Sequence, residues 1–568
     1  MITLKHKLLA AVIAVAAAAW YVYTHRWVLW LMGAAVVLAV LLMAAKWCFW
    51  PQRRLTADRV RYLHIRLRLK LHPGRGHMTI VGLFTRFGRL AMFTKSHRIR
   101  PDLTLRERLR HPDAYSTVLG RGHYRYPVRL DLQTQSAWLS VPRTGKTGAL
   151  ARRIIHHPGA VVATSSQPDL YKLSSGARAY RGSVVHVLNP LGLADVESTF
   201  RWDIVAGCAN EAVAVRRADA LVNSVPTGGT DGGDWFRGKA ADAMRGFLVA
   251  GGLAGSDFRA VSRWILRGQI SEPIEILEAA GKDELAAAVR ELGGKAERTA
   301  STVLMFLSKA ISFAVDPKLL LAVLPSEGEG LDLERLIRHG QSLYLIAPDT
   351  GNDTPLSGLF SALVAEVHAT ALKVAASMPG GRIAPGALYV LDELCQVASG
   401  IPVARWAADA GGRGISMAVV AHGVAQLEER YGKPSTRALL DCCTAKIVFG
   451  GTSDPDTLKT LETLCGEVAL REHGHDSHAR HPVMSAEMVR QLPDEYALAV
   501  IGNARPVIVR PQMAWKDRTY RRLKRRGQAV ATLAPAAPPR ALSNGHAPVT
   551  APLDLPELLP VAAEWRQE

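Results

Sequence analysis

The sequence predicts an α/β fold: a doubly wound parallel sheet that carries an inserted all-helical segment and is preceded by a transmembrane hairpin. Three observations predict it. A phosphate-binding pattern stands between a short strand and a helix at 136–155, a buried strand ends in two carboxylates at 387–393, and strand-length apolar runs alternate with helical patterns around both. Such alternation is typical of a parallel sheet covered by helices on its faces.

Two apolar stretches open the chain, one from Leu8 to Tyr23 and one from Trp27 to Ala45. The second contains nineteen residues without a charge, which as a helix span about 28 Å. Tryptophan and tyrosine cluster near the ends of both stretches, as they do at the boundary between lipid and water. Because a second span follows the first so closely, residues 1–50 are predicted to be a two-helix hairpin rather than a cleaved signal peptide.

Cations flank the hairpin on both outer sides, which places both termini and the rest of the chain in the cytoplasm of a multi-pass protein of the inner membrane. The chain is 568 residues long, 48% hydrophobic, and carries a net charge of +20. Residues 51–110 supply +13 of this charge and residues 516–526 supply +6. Positive-inside topology and attraction to anionic lipid explain the first block without nucleic acid. The six cysteines show no metal-ligand or disulfide-framework spacing.

Residues 51–132 are predicted to form a basic, strand-rich, membrane-proximal module. Within it, leucine and isoleucine alternate with histidine, arginine and lysine from Leu63 to His72, which predicts a strand with one cationic face. Lipid headgroups, solvent and DNA entering a channel all remain open as partners of that face.

The segment Ser140-Val-Pro-Arg-Thr-Gly-Lys-Thr147 has the ending of a phosphate-binding loop. In such a loop, backbone N–H groups and a helix N-terminus surround phosphate oxygens, and the lysine reaches the terminal phosphates. Thr144, Gly145, Lys146 and Thr147 are therefore the predicted nucleotide-binding residues, with the Thr147 hydroxyl on Mg²⁺. The general pattern begins with glycine, so Ser140 must make the first turn without glycine's freedom at positive φ.

The run Ala387-Leu-Tyr-Val-Leu391 has the length of a buried strand and ends in Asp392 and Glu393. An acidic pair at the carboxyl end of a parallel strand suits Asp392 as a Mg²⁺ ligand and Glu393 as the group that polarises the attacking water. The two motifs together predict an enzyme that binds ATP with Mg²⁺ and hydrolyses it.

The spacing of apolar residues divides the rest of the chain into predicted strands and helices. Strands are predicted at 136–139, 159–164, 182–188, 342–346, 387–391, 415–421 and 445–450, and helices at 212–224, 233–253, 297–315 and 356–376. The predicted boundaries are therefore 133–209 for the first part of the ATPase core, 210–332 for the helical insertion, 333–515 for the second part of the core, and 516–568 for a basic run with a disordered Pro- and Ala-rich tail.

In this order of motifs the chain resembles the type IV coupling proteins of bacterial conjugation, the TraG/TraD-like ATPases within the wider FtsK-like group. The resemblance rests on the apolar hairpin, the phosphate-binding loop, Arg201-Trp202-Asp203, the acidic motif, and the segment from Ala421 to Gly432 with Gln426 and Tyr431-Gly432. Thr444 to Asp454, Met484 to Glu487 and Gly502 to Pro506 follow the closing pattern of that family.

The resemblance implies a RecA/FtsK-like core and a homo-hexameric motor at the inner membrane. Such a motor passes a relaxase-bound single DNA strand, and sometimes proteins, to the components of a type IV secretion channel. It also implies that Gln426 lies in the segment linked to γ-phosphate sensing and DNA coupling. His422 stands where relatives commonly have glutamine, and a neutral imidazole can still donate one hydrogen bond. Arg413 is the candidate for an arginine finger from a neighbouring subunit, with Arg405 as its rival.

Two other functions stay open at this point: a secretion ATPase that recruits protein effectors without DNA, and an FtsK-like translocase of double-stranded DNA. The second is disfavoured because no winged-helix module is recognisable after the Pro-rich tail. Four histidines at 473, 475, 478 and 481 fit no zinc-binding spacing, so no structural metal is predicted there.

Overall fold

The computed structural model describes residues 12–17, 20–21, 23, 37–38, 71, 75–227, 232–294, 297–348, 355–471 and 478–525. Most of the predicted hairpin, the alternating strand at 63–72 and the tail beyond 525 lie outside these residues, and residues 12–17 are helical and exposed. Among the residues searched, one helix is long and apolar enough to cross a membrane, Ser357–Ser377. Most of that helix is buried inside the protein, as expected of a core helix. The hairpin therefore stays a prediction.

The chain divides into two compact units, Met1–Leu71 and His72–Glu568, and the second contains the sheet and the candidate site. Eleven of its strands form one sheet, in the order β2-β1-β13-β12-β9-β3-β8-β7-β4-β6-β5. Two more strands, β10 and β11, form a separate antiparallel pair. The strands are β1 (Ser116–Gly122), β2 (Pro127–Asp131), β3 (Ser136–Leu139), β4 (Ala160–Ser165), β5 (Val185–Leu188), β6 (Ser342–Ile346), β7 (Ala387–Leu391), β8 (Ile415–Ala421), β9 (Ala445–Phe449), β10 (Glu467–Arg471), β11 (His478–Pro482), β12 (Ala497–Ile501) and β13 (Val507–Pro511).

Seven strands, from β9 to β5 in the sheet order, run parallel to one another. They occupy the seven positions at which the sequence predicts strands. Every residue of β3, β4, β6, β7 and β8 is buried, which explains why these strands are continuous apolar runs rather than alternating ones.

The other four strands make the sheet mixed, which corrects the expectation of a parallel sheet. β12 lies antiparallel to β9, β13 to β12, β1 to β13 and β2 to β1. Residues 116–131, expected in the membrane-proximal module, are thus edge strands of the main sheet. Close pairing at this edge requires Gly120, because a Cβ there would lie 2.3 Å from the carbonyl oxygen of Arg510.

Helices cover the sheet and fill the segment between β5 and β6. They are α1 (Ile80–Phe87), α2 (Arg89–Ile99), α3 (Leu105–Arg110), α4 (Lys146–His156), α5 (Asp169–Tyr180), α6 (Glu211–Asn223), α7 (Gly233–Leu253), α8 (Phe258–Arg267), α9 (Ser271–Ala279), α10 (Asp283–Arg290), α11 (Glu297–Ala310), α12 (Pro317–Leu320), α13 (Leu333–Arg338), α14 (Ser357–Ser377), α15 (Leu394–Val397), α16 (Val403–Asp409), α17 (Val424–Tyr431), α18 (Lys433–Cys442), α19 (Pro455–Cys465), α20 (Ala486–Arg490) and α21 (Arg518–Arg525).

The described residues between β5 and β6 contain helices and no strand. Side chains cap several of these helices: Asn210 accepts from the N–H of Ala212 at the start of α6, and Asp257 accepts from that of Arg259 at the start of α8. α6 packs against α14, which follows β6, so this helical segment lies directly on the core. The domain boundaries at 210 and 332 stay predictions.

Parallel pairing brings the carboxyl ends of β3, β7 and β8 to one edge of the sheet. β3 pairs with β8 from Ser136 to Leu139, and β8 pairs with β7 up to Leu391. The loop after β3, the acidic pair after β7 and His422 after β8 therefore meet at this edge, where ligands of open α/β sheets bind.

Candidate nucleotide-binding site

The loop from Ser140 to Gly145 turns from β3 into α4. Ser140 extends the pairing with β8, since its N–H donates to the Ala421 carbonyl over 3.1 Å, and its hydroxyl is hydrogen-bonded to that of Thr144. The positive φ angles of the loop lie at Arg143 (67°) and Gly145 (99°) rather than at Ser140. The missing first glycine is thus compatible with the turn, because the strained positions fall elsewhere.

Lys146, the first residue of α4, lies between the two carboxylates. Its Nζ is 3.4 Å from Asp392 Oδ1 and donates a hydrogen bond to Glu393 Oε1. All three residues are buried, with 7%, 4% and 8% of their surfaces exposed. Residues 247 positions apart in sequence are thus in direct contact, as the two motifs predict.

Burial and neighbouring charges shift the pKa values of Lys146 and Asp392. Burial opposes the charge on Lys146, but Asp392 and Glu393 together outweigh burial and raise the pKa of Lys146. Burial also raises the pKa of Asp392, which Lys146 lowers and Glu393 raises further. One lysine against two carboxylates leaves an unbalanced negative charge when all three are ionised.

His422, directly after β8, connects the loop to the acidic pair. Its Nε2 is 3.3 Å from Glu393 Oε2, and its Nδ1 is 3.3 Å from the carbonyl oxygen of Ser140. The N–H of His422 donates to Gln426 Oε1 over 2.9 Å, which fixes the start of α17. His422 thus lies at the candidate site in contact with Glu393, and Gln426 lies next to it through its hydrogen bond with the His422 N–H.

Three supporting contacts were not predicted from the sequence. The Thr164 hydroxyl at the end of β4 donates to the Asp392 carbonyl over 3.0 Å, and the N–H of Glu495 donates to the Thr144 carbonyl over 3.2 Å. Met513 lies against Gly145, where an added Cβ would come within 3.0 Å of its Cε. Of these, only Thr164 had a detectable pattern, a hydroxyl residue at the carboxyl end of a predicted strand.

Arg413 does not lie at this site. Arg413 precedes β8, at the edge where the parallel strands begin, and pairs with Asp409 over 3.2 Å. Arg405 is exposed on α16. Arg413 cannot reach the phosphate-binding loop of its own chain across the length of β8, about 20 Å. A role in catalysis would require the neighbouring subunit's site, so the arginine finger stays a prediction.

Trp202 and the histidine-rich segment, which the sequence also singles out, lie outside this site or outside the described residues. Trp202 is buried under the guanidinium of Arg217, 4.9 Å from the ring centroid. No group of three or more His, Cys, Asp or Glu residues among those described has the arrangement of a metal site. His473 and His475 lie outside the described residues.

The residues present fit ATP with Mg²⁺. Asp392 Oδ1 is buried and accepts no hydrogen bond from the described part of the chain, so an oxygen atom that suits a hard cation remains available. Gly145 is the N-cap of α4 and no side chain caps this helix, so the backbone N–H groups of its first turn remain available to an anion. Asp392 and Thr147 would hold the metal, and residues 144–147 the phosphates.

The fold is a large mixed α/β sheet with the candidate phosphate-binding loop after β3, and it is similar to solved structures of conjugative coupling proteins. Among solved structures, the bacterial conjugative coupling protein TrwBdeltaN70 in its unbound monoclinic form is similar, with a TM-score of 0.53 and 18% identity over 70% of this chain and 90% of that chain. Its trigonal form in complex with sulphate has a TM-score of 0.51 and 16% identity, over 68% of this chain and 88% of that chain. The plasmid coupling protein TrwB in complex with the non-hydrolysable ATP analogue ADPNP has a TM-score of 0.50 and 16% identity, over 68% of this chain and 88% of that chain.

Residues 387–494 match the family model described as the TraM recognition site of TraD and TraG. This segment contains the acidic motif, His422 and Gln426. The match confirms the resemblance to type IV coupling proteins drawn from the motifs. No curated protein sequence matches the chain.

Proposed function

We propose that the protein is the coupling ATPase of a conjugation apparatus. It binds ATP with Mg²⁺ at the edge formed by β3, β7 and β8, and it uses hydrolysis to move a relaxase-bound single DNA strand toward a type IV secretion channel. The family match at 387–494 and the TrwB-like fold support this class of function.

One observation carries the ATPase part of the proposal: Lys146 contacts both Asp392 and Glu393 inside a buried site. A lysine at the first position of a helix after a glycine turn, facing two carboxylates across the sheet edge, is the arrangement that phosphoryl transfer requires. A purely structural ion pair would not need a helix N-terminus without a side-chain cap or a buried Asp392 oxygen without a hydrogen bond.

Each residue has a separate task in this mechanism. Bound Mg²⁺–ATP supplies the phosphoanhydride bond and a metal that offsets phosphate charge. Lys146 exchanges its contact with Glu393 for the terminal phosphates, which frees Glu393. Glu393 would then accept a proton from water as the water oxygen bonds to the γ-phosphorus and the bond from that phosphorus to the ADP oxygen breaks, while His422 holds Glu393 Oε2 in position. Thr164 fixes the backbone of Asp392.

The proposed assembly is a hexamer at the inner membrane, with the ATPase in the cytoplasm. Movement of the strand would use contacts to its charged backbone rather than base readout. Protein recruitment without DNA, or translocation of duplex DNA, are the outcomes that a substrate test separates.

The test is ATP hydrolysis by the full chain in detergent, with single-stranded DNA, duplex DNA or no DNA. We expect single-stranded DNA to stimulate hydrolysis severalfold more than duplex. Lys146→Ala should lower the rate by about 100-fold or more under every condition, because the phosphate charge loses its cation. Lys172→Ala, at an exposed lysine of α5, is the matched control and should leave the rate unchanged.

Stimulation by duplex alone would favour a double-strand translocase. Hydrolysis indifferent to both kinds of DNA would favour a protein-recruiting ATPase. A chain that hydrolyses nothing would contradict the proposal at its base.

A further inference from the structure

The helices α1 and α2 lie along the edge of the sheet at which the parallel strands begin. The N–H of Met78, just before α1, donates to the carbonyl of Pro506 in the β12–β13 turn over 3.2 Å. At the other end of the pair, the Arg382 side chain, before β7, donates to the carbonyl of Arg98 in α2. The nucleotide site lies at the opposite edge of the same strands, so these helices cover the far side of the core.

The outer face of α1 is apolar and exposed. Ile80, Val81 and Phe84 expose 53%, 66% and 46% of their surfaces, and Leu90 at the start of α2 exposes 59%. The inner face is fixed by Leu83 and Phe87, which are buried. Because the buried residues set the rotation of the helix, the exposed apolar side chains are held outward as one patch.

Cations border this patch. Residues 75–110 contain nine Lys and Arg against two Asp and Glu. Arg86, Arg89 and Arg98 are exposed beside the apolar side chains, and α3 repeats the pattern with exposed Leu105 and Leu109 between arginines. An apolar stripe bordered by arginine is suited to the boundary between acyl chains and phosphate headgroups, where the apolar side chains insert and the cations meet anionic lipid.

We propose that α1 and the start of α2 lie on the surface of an anionic bilayer, with Ile80, Val81, Phe84 and Leu90 inserted at the headgroup boundary. A second copy of the chain is a poorer occupant, because it would bring like charges together. This contact goes beyond the proposed ATPase activity. It orients the core, with the edge that carries Lys146 turned away from the membrane.

The test is hydrogen exchange of the amides of residues 80–90 in the full chain. The chain is compared in detergent, in bilayer discs of phosphatidylcholine, and in discs that also contain phosphatidylglycerol. We expect exchange to slow by about tenfold in the anionic discs relative to detergent, and by less in the neutral discs. Raising the salt concentration should reduce the difference between the two kinds of disc.

Ile80→Glu combined with Val81→Glu should abolish the slowing, because the added carboxylates oppose insertion. Val315→Glu, at an apolar residue 69% exposed in the helical segment, is the matched control and should change nothing. Thermal unfolding of each variant checks that the fold is retained. Exchange of residues 80–90 that is no slower in either kind of disc than in detergent would overturn the proposal, and so would slowing that the two glutamates leave unchanged. Neither outcome depends on ATP hydrolysis.

Discussion

At the scale of single residues, the candidate site depends on one buried lysine that lies between two carboxylates. Lys146, Asp392 and Glu393 meet as the two motifs require. The backbone conformation at the site could not be predicted from the sequence. In the loop the positive φ of a non-glycine residue falls at Arg143, and Glu393 adopts a φ of 52°. A left-handed backbone conformation at a non-glycine residue depends on the contacts around it, so no local residue pattern predicts it.

His422 offers the sharpest test at this scale, because it contacts both the loop and Glu393. We predict that His422→Ala lowers kcat for ATP by about 10-fold or more with little change in KM, since positioning of the general base is worth about that factor. His422→Gln should recover much of the rate, because an amide can still donate to Glu393. Steady-state kinetics measures both.

His339→Ala, at an exposed histidine after α13, is the control and should behave as the unchanged protein. An equal loss for the alanine and glutamine variants would show that the imidazole has a role that an amide donor cannot replace. No loss in either would remove His422 from the mechanism.

At the scale of elements, the buried parallel strands were predictable because a strand covered on both faces is an uninterrupted apolar run. The four antiparallel strands were not. β1 contains two glycines, an arginine and two hydroxyl residues, and it belongs to the sheet through backbone pairing that reaches β13, far along the chain. Pairing between such distant segments leaves little trace in local sequence.

The turn after α15 joins the acidic motif to the helical segment. Gly400 packs on α6 so closely that a Cβ would lie 2.0 Å from the Ala220 carbonyl oxygen. We predict that Gly400→Ala destabilises the protein by about 1 to 3 kcal/mol, the range for overpacking against atoms that cannot move. Urea unfolding followed by tryptophan fluorescence measures the change.

Gly238→Ala is the matched control. Gly238 lies on the exposed side of α7 with no atom within 4 Å of an added Cβ, so alanine there should stabilise the helix by about 0.5 to 1 kcal/mol. If both variants change the free energy of unfolding in the same direction, the close packing of Gly400 on α6 would be contradicted.

Asp517 joins the start of α21 to the end of α4. Burial alone would raise its pKa, but the hydrogen bond and charge of His156, with the charge of Arg152, hold the pKa of Asp517 at about 2. A lowered carboxylate pKa stabilises the folded state above the unfolded value near 3.9, and the gain is lost as the pH falls toward 2. We predict that Asp517→Asn costs about 1 to 2 kcal/mol at pH 7 and progressively less below pH 4.

Hydrogen exchange of the α21 amides at several pH values measures this local stability. Asp494→Asn, at an exposed aspartate, is the control. A cost for Asp517→Asn that stays constant down to pH 2 would show that the carboxylate charge is not what holds the two helices together.

At the scale of the whole molecule, the two edges of the sheet have different tasks. The carboxyl edge carries the candidate ATPase site and the helical segment, and the amino edge carries α1, α2 and Arg413. The sequence could predict that such a sheet exists, but not that the basic region after residue 75 folds along its amino edge. Arg413 lies on the wrong edge to serve its own chain, so its proposed role depends on the assembly.

Mixed oligomers test that role. Lys146→Ala and Arg413→Ala should each inactivate the protein when assembled alone. In a cyclic assembly of both variants at equal amounts, about a quarter of the interfaces join an intact loop to an intact arginine, so activity should return to about that fraction. Mixing Lys146→Ala with Arg405→Ala tests the rival arginine in the same way. A mixture with Arg413→Ala that stays inactive would exclude Arg413 as a residue supplied between subunits.

The most direct measurement is a structure of the protein with a non-hydrolysable ATP analogue and Mg²⁺. We expect the terminal phosphates to lie against the N–H groups of residues 144–147, Lys146 Nζ to have moved from Glu393 to the phosphates, and the metal to be held on the Asp392 side. A nucleotide bound elsewhere, with Lys146 still paired to the two carboxylates, would contradict it.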